Sequence, residues 1–233
     1  MQAMIISIHR PYFAPYPGFF RKAELSDLMV LLDQVQFPRK TTWITRNRFK
    51  NDRGVLWVTV PVFKKHLGLQ SIDEVRINYG SRWDRKFLLS LQSAYRHAPY
   101  FSRHLPFLEE LLSKRCERVL DLNLKIIQYL ADCLQIRTPV RLQSDLRARG
   151  KGDDLLVDVC RRAGADTYLA QREVQKFIDG RRFEAAGIGL RFFTAPFPVY
   201  PQLWGEFLFN LSAFDLLFNC GPKARDILIG TGS

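Results

Sequence analysis

Three features of this 233-residue sequence predict an α/β fold with a mostly parallel, Rossmann-like sheet. Short apolar runs typical of buried strands occur near both ends, at 4–8, 29–32, 167–169 and 189–193. Segments with a helical apolar period alternate with these runs, and a helical region of about 83–136 interrupts the alternation. The sequence therefore predicts one domain, residues 1–233, with a helical middle insertion and a helical C-terminus.

The first sheet unit is predicted over residues 4–32. The strand at 4–8 must end before 10–19, because that segment contains three prolines, which cannot donate to a strand ladder. A helix over 19–28 and a second strand over 29–32 follow. This order places the proline-rich loop at the carboxyl end of the first strand, where open α/β sheets bind ligands.

The middle of the chain changes from strand to helical periodicity. Residues 55–63 are rich in β-branched side chains and predict a third strand, and alternating apolar residues predict a fourth over 71–78. Apolar stripes at helical spacing then run through 83–136.

The remaining elements alternate again. A helix over 153–163 precedes the strand at 167–169, and 189–193 supplies the last strand. Helices over 207–218 and 223–228 close the chain, separated by a Gly-Pro stop signal.

Charge and composition limit the class of partner. The chain carries 35 Lys and Arg against 23 Asp and Glu, a formal charge of +12. These cations are spread out, without a zinc-finger, RNP or basic-zipper pattern, so nucleic acid is not favoured. A phosphate-bearing small molecule or an acidic carrier protein accounts for the charge equally well. The apolar run at 4–8 is too short for a signal peptide and no stretch suits a membrane span, so we expect a cytoplasmic protein.

The cysteines predict neither a metal site nor disulfides. The four thiols, at 116, 133, 160 and 220, form no CxxC pair and lie in apolar or helical stretches. We therefore expect reduced cysteines and no metal or cofactor.

His9 is the leading catalytic candidate. It stands where the first strand meets the proline-rich loop, and the rings of Tyr12, Phe13, Tyr16 and Phe19 surround that loop in sequence. Prolines fix a loop at low entropic cost, which suits a preorganised pocket. A hydrogen-bonded structural histidine is the alternative interpretation. The other histidines, His66, His97 and His104, are expected on the surface or at helix caps.

Two polar segments follow the second predicted strand. Asp33 and Gln36 could orient a substrate or the His9 ring, although Asp33 also suits a turn acceptor. The second segment is a cationic cluster whose guanidinium forks suit phosphate or carboxylate, with a solvated strand face as the alternative. Its members are Arg46, Asn47, Arg48 and Lys50.

The C-terminal segment 212–222 combines a charge with a thiol. Asp215 lies in an otherwise apolar predicted helix, so we expect it to pair with His9 or an arginine. Cys220 lies at a helix end and is a nucleophile only if a base such as His9 is within reach, the alternative being a core thiol.

Seven groups of residues along nearly the whole chain resemble the WbqC-like family of bacterial proteins. Each group is weak alone, and their common order is specific. The groups are His9, Pro11, Pro15, Gly18 and Phe19; Asp33 and Gln36; Arg46, Asn47, Arg48 and Lys50; Tyr95, Ala98, Pro99, Tyr100 and Phe101; Asp121 and Asn123; Gly164, Ala165, Asp166 and Tyr168; and Leu211, Ser212, Asp215, Asn219, Cys220, Gly221 and Pro222. The chain departs from the family pattern after Leu169, where a glycine-bearing segment of small residues is usual and this chain has Ala170, Gln171, Arg172, Glu173, Val174 and Gln175.

The resemblance implies a role in the biosynthesis of O-antigen, of other surface polysaccharides or of natural products. It suggests transfer of an aminoacyl or acyl group from a carrier-protein thioester to an amine, such as that of a nucleotide-linked amino sugar. His9 would then be the general base, Asp33 or Asp215 would orient it, and the cationic cluster would hold the diphosphate. The remaining residues expected to contact substrate are Tyr12, Gln36, Asn47, Tyr95, Tyr168, Ser212 and Asn219.

Two other classes of function remain open. The strand, histidine loop, helix and strand order has the outline of a nucleotidyl-transferring enzyme, although the His-x-Gly-His signature is missing. A non-catalytic module would use the same basic residues only to bind a carrier protein or nucleic acid.

Overall fold

The computed structural model describes residues 3–65, 67–195 and 197–230. Its main sheet has five strands, β1 (Ile5–His9), β2 (Leu28–Leu31), β5 (Val140–Leu142), β6 (Thr167–Gln171) and β7 (Gly189–Phe193). Their order in the sheet is β5-β2-β1-β6-β7, and each neighbouring pair is parallel. The predicted α/β fold with a parallel sheet and a helical C-terminus is confirmed.

Helices of very different lengths connect and cover these strands. The short ones are α5 (Gln143–Leu146), α7 (Gly180–Glu184) and α9 (Ala224–Ile229). The others are α1 (Pro17–Glu24), α2 (Trp83–Tyr95), α3 (Phe101–Ser113), α4 (Val119–Cys133), α6 (Asp153–Ala163) and α8 (Ala213–Cys220). The helical middle region predicted over 83–136 therefore consists of α2, α3 and α4. In the described part of the chain, no helix has the length and apolarity needed to cross a membrane.

The chain reverses its direction of travel across the sheet beside β1. After β1 it builds β2 and then β5 on one side, and it later returns to add β6 and β7 on the other. Such a reversal opens a crevice at the carboxyl ends of the two flanking strands, because their connections leave in opposite directions. His9 ends β1 and Gln171 ends β6, so both residues stand at this crevice.

Two apolar layers sandwich the sheet. Met29 and Leu31 belong to the larger core, which contains the helical insertion and α8. Leu28 and Val30 belong to a second core that includes α6. Successive residues of β2 thus point to opposite faces, and both faces are buried, which explains the unbroken apolar run in the sequence.

Several boundaries differ from the sequence prediction. The strand expected over 55–63 is β4 (Gly54–Thr59), which pairs with the unexpected β3 (Arg46–Asn51) in a separate antiparallel hairpin. The strand expected over 71–78 is wrong, because a capping box between Ser71 and Glu74 turns the backbone into a short 3-10 helix over Ile72–Glu74. The helix expected over 207–218 begins only after Ser212, whose side chain caps α8.

Contacts from distant parts of the chain fix the loop between β1 and α1. The Asn47 side-chain amide donates to the carbonyls of Phe13 (2.9 Å) and Ala14 (2.7 Å). The Asn123 amide donates to the carbonyl of Pro11 at 2.8 Å. The β3 strand and helix α4 therefore hold the loop carbonyls that the prolines leave without a regular partner.

Candidate active site at the carboxyl edge of the sheet

A cavity of about 500 Å³ opens at the crevice where the strand order reverses. Its walls come from the ends of β1 and β6, from α1, from the start of α6 and from segment 172–177. The lining residues used below are His9, Arg10, Tyr12, Lys22, Gly152, Asp153, Tyr168 and Gln171.

The His9 ring lies at this cavity without a hydrogen bond on Nε2. The residue is only 6% exposed, and its Nε2 has no partner. The ring packs 4.8 Å from the ring of Phe19 and 6.3 Å from that of Tyr12, measured between centroids. Burial, and secondarily the charge of Lys22, holds the pKa of His9 well below its usual value. At neutral pH the imidazole is therefore uncharged.

Lys22 is a site residue that sequence reasoning missed. It is 1% exposed and lines the same cavity as His9. Its ammonium lies 5.8 Å from the centre of the Tyr168 ring. Burial lowers the pKa of Lys22 to about 7, against a smaller opposing effect of Glu173. The signal in the sequence was weak, because a lysine within an amphipathic helix usually faces solvent.

A second cavity of about 240 Å³ adjoins the first. Tyr12 and Gln171 line both, and the Gln171 side chain donates a 2.6 Å hydrogen bond to the hydroxyl of Tyr16. The other residues that line the second cavity are polar or aromatic, apart from one alanine. They are Trp43, Asn47, Arg48, Glu173, Ala195, Phe197 and Asn210. The site thus has two lobes with a common wall.

The predicted cationic cluster is divided among three environments. Arg46 stacks on Trp57, with its guanidinium carbon 3.7 Å from the ring centre. Arg48 lines the smaller cavity and donates to the carbonyl of Asn210 at 2.9 Å, and burial lowers its pKa. The Lys50 ammonium instead donates to the Glu206 carbonyl at 2.6 Å. Of these three cations, only Arg48 lines either lobe.

Asp215 is the centre of a separate buried polar cluster. Its carboxylate accepts a 2.6 Å hydrogen bond from the hydroxyl of Tyr95 and further hydrogen bonds from Tyr200 and Asn219. The Tyr95 hydroxyl in turn accepts from the backbone N–H of Lys50 at 2.8 Å. Burial raises the pKa of Asp215 to about 6, although these hydrogen bonds oppose the rise. The partners of this carboxylate are tyrosines and an amide rather than the expected His9 or arginine.

Cys220 and Ser212 lie at the two ends of α8, beside this cluster. Burial, followed by the charge of Asp215, raises the pKa of the Cys220 thiol to about 11. Cys220 therefore stays protonated at neutral pH and lines neither lobe. The Ser212 hydroxyl accepts from the Phe214 N–H at 3.3 Å as a helix cap.

Asp33 and Gln36 lie beside the crevice without lining either lobe. The Asp33 carboxylate accepts from the backbone N–H of Ser144 at 3.0 Å and from its hydroxyl at 2.5 Å. Ser144 belongs to α5, so a distant helix holds this carboxylate, which is neither the predicted substrate contact nor the local turn alternative. Gln36 is exposed and forms an isolated antiparallel bridge with Ser71.

The remaining histidines differ in environment. His97 is exposed, as expected. The surface or helix-cap prediction is wrong for His104, which is 7% exposed and shares a 2.7 Å hydrogen bond with the Tyr129 hydroxyl. Burial lowers the pKa of His104 to about 4. His66 lies outside the described residues.

Comparison with known proteins places this architecture in a family. The chain is 28% identical over 225 residues to the uncharacterized protein Rv1507c of Mycobacterium tuberculosis, and the alignment covers 96% of each chain. No solved structure matches. The model of the WbqC-like protein family matches residues 10–227, which include the site loop, the helical insertion and α8. The chain therefore belongs to the WbqC-like protein family.

Proposed function

We propose that this chain transfers an acyl or aminoacyl group from a carrier-protein thioester to the amine of a nucleotide-linked amino sugar or a related amine. The observation that carries the proposal is His9, which lines a cavity at the sheet crevice and whose buried Nε2 has no hydrogen-bond partner. A buried polar atom without a partner is costly, and such an atom at a ligand crevice suits a group that acts on substrate.

Acyl transfer to an amine requires one general base, which accepts the proton that the attacking nitrogen loses. The substrate nitrogen attacks the thioester carbonyl, and His9 Nε2 accepts the proton that this nitrogen loses as the new C–N bond forms. The C–S bond then breaks, and the protonated His9 returns its proton to the leaving thiolate, which becomes the free thiol of the carrier arm. A positioned base of this type contributes about 10² to 10⁴ in rate. The lowered pKa keeps His9 in its accepting form at neutral pH.

The two lobes suit two substrates. The amine acceptor occupies the larger lobe beside His9, and the donor arm enters through the smaller, aromatic lobe that Arg48 lines. Exposed cations near the two lobes favour an acidic carrier: Arg10 lines the larger lobe, and Arg172 and Lys176 belong to segment 172–177. Complementary charge of this kind speeds encounter more than it strengthens the bound complex.

The test compares two histidine substitutions. Release of free thiol is measured with an acyl-loaded carrier protein and a panel of nucleotide-linked amino sugars. His9→Ala should lower turnover by about 10² to 10⁴, while His97→Ala, at an exposed histidine, should leave it unchanged. Equal activity of the two variants, with both folded, would refute His9 as the base. A carrier bound equally by both variants without any thiol release would support a non-catalytic module instead.

Nucleotidyl transfer is a second candidate because the larger lobe also places His9 and Lys22 beside the start of helix α6. Such an enzyme would release pyrophosphate from a nucleoside triphosphate in the presence of a sugar phosphate. Pyrophosphate release that depends on His9, without thiol release from a loaded carrier, would favour this candidate.

A further inference from the structure

The larger lobe brings together two features that attract anions. Lys22 lines one wall, and Gly152 and Asp153, at the start of helix α6, line another. Neither feature was expected from the sequence, where the diphosphate was predicted at Arg46, Arg48 and Lys50. The structure engages Arg46 and Lys50 elsewhere.

The Lys22 ammonium has no counter-ion within the described residues. The ion pairs of that part of the chain do not include it, although the residue is 1% exposed. Glu173 is the charged group that acts on Lys22, and its effect on the pKa of Lys22 is smaller than the effect of burial. The charge of Lys22 in turn lowers the pKa of His9. Burying an ammonium without an anion is costly, so an anionic ligand in this lobe would remove a penalty that the empty protein carries.

The start of α6 adds backbone donors. This helix has 11 residues, and the first N–H groups of a helix lack intrahelical acceptors. Gly150 has a φ of +120°, and a Cβ there would come within 3.0 Å of the Leu155 nitrogen, so the preceding loop folds closely onto the first turn. The two acidic side chains of that turn already have partners. Asp153 accepts from the Asp179 N–H at 2.8 Å, and Asp154 pairs with Arg182.

We propose that the larger lobe binds the sugar-linked diphosphate of the acceptor, with the Lys22 ammonium and the first turn of α6 as its anion-binding groups. The inference rests on the proposed function, which supplies the acceptor. A sugar amine lies within the same small ring system as the carbon that bears the diphosphate, so it can reach His9 while the diphosphate contacts Lys22. The phosphate of a carrier arm is separated from its thioester by the whole arm and does not suit this place.

The test measures binding of UDP to the full chain by titration calorimetry at pH 8 in two buffers of different ionisation enthalpy. Since the pKa of Lys22 is about 7, this side chain is mostly neutral at that pH, and an adjacent anion should raise its pKa. Binding should therefore be accompanied by uptake of up to about one proton. Uptake of no proton by the wild-type chain would overturn the proposal without any variant.

Two lysine variants locate the site. Lys22→Met should weaken UDP binding at least about tenfold and abolish proton uptake. Lys151→Met, at an exposed lysine of the neighbouring loop, should change the affinity by less than about threefold. Equal affinity of Lys22→Met and wild type would overturn the proposal.

Two further ligands identify the source of the phosphate. Inorganic phosphate should bind with the same dependence on Lys22, more weakly than UDP. If 4′-phosphopantetheine binds with proton uptake and UDP does not, the diphosphate assignment is overturned. Proton-linked UDP binding without any transfer activity would refute the transferase and support the phosphate site. Transfer activity without such binding would support the transferase and refute the phosphate site.

Discussion

Two buried lysines, Lys22 and Lys50, stand in polar clusters of opposite character. Both are almost fully buried, at 1% and 2% exposed, and both adjoin a cavity. The Lys50 ammonium donates to the side-chain oxygen of Gln202 at 3.1 Å and to the carbonyl of Glu206 at 2.6 Å. The Lys22 ammonium instead lies over the ring of Tyr168 and is only weakly influenced by the carboxylate of Glu173. The His9 Nε2 at the same cavity also has no hydrogen-bond partner.

The difference distinguishes buried polar groups that stabilise the fold from buried polar groups that are available to a ligand. Buried polar groups that satisfy one another hold a fold together, as Asp215 and Tyr95 do with their neighbours. Buried polar groups without a hydrogen-bond or ionic partner lower stability, and proteins retain them where a bound ligand supplies the missing partner. By this criterion we propose the larger lobe as the working site and the Asp215 cluster as a structural one.

The same substitution in each cluster should have opposite effects. Lys22→Met should raise the free energy of unfolding at pH 7 by about 2 to 4 kcal/mol, because the folded state holds the charge of Lys22 unfavourably. Lys50→Met should lower it by about 1 to 3 kcal/mol, because the Glu206 carbonyl and the Gln202 oxygen lose their donor. Urea denaturation measures both. Destabilisation by Lys22→Met comparable to that of Lys50→Met would remove the contrast.

The Asp215 cluster should make stability fall with rising pH. The folded-state pKa of Asp215, about 6, lies above its ordinary value of 3.8, so the folded protein holds this proton more tightly than the unfolded chain. Between about pH 4 and 6 this carboxyl therefore lowers the free energy of unfolding by up to roughly 3 kcal/mol. Asp215→Asn should remove that part of the pH dependence in denaturation curves. Asp121→Asn, at an exposed carboxyl, should retain it, and identical curves for the two variants would contradict the assignment.

The smallest expected effect concerns Cys220. Because its thiol is 6% exposed and its pKa is raised to about 11, Cys220→Ala should leave thiol release from the carrier within about threefold of wild type. The same thiol should react slowly with iodoacetamide until the protein unfolds. A loss of activity near 10²-fold in a variant of unchanged melting temperature would make Cys220 a nucleophile after all.

The sequence predicted the frame of the sheet because strands buried on both faces are continuous apolar runs. It missed β5 (Val140–Leu142), which has only three residues and alternates with an arginine. It also predicted a strand at 71–78 from Ile72, Val75 and Ile77, of which only Val75 and Ile77 have the spacing of a strand, and the Ser71 capping box overrides that signal. Local hydrogen bonds decided the backbone there, and an apolar period does not report them.

The site was predicted in part. His9 and Tyr12 were found because they adjoin a strand end and a proline-rich loop. Lys22 was missed because its burial depends on Tyr168, which is distant in sequence. Tyr168 packs beside the face of α1 that would otherwise be exposed to solvent. The partners of Asp215 were missed for a similar reason, since Tyr95 lies 120 residues away. Sequence spacing carries no information about which distant side chains meet.

The loop after β1 has a consequence for the order in which the protein matures. Its carbonyls accept from Asn47, from Asn123 at a separation of 112 residues, and from the Ala213 N–H, which bonds to the Pro15 carbonyl at 2.8 Å. During translation these donors are synthesised one after another, with Ala213 the last of the three. The loop is made before all of them and reaches its final conformation only when they are present, so we expect no ligand-competent site in nascent chains that stop before α8.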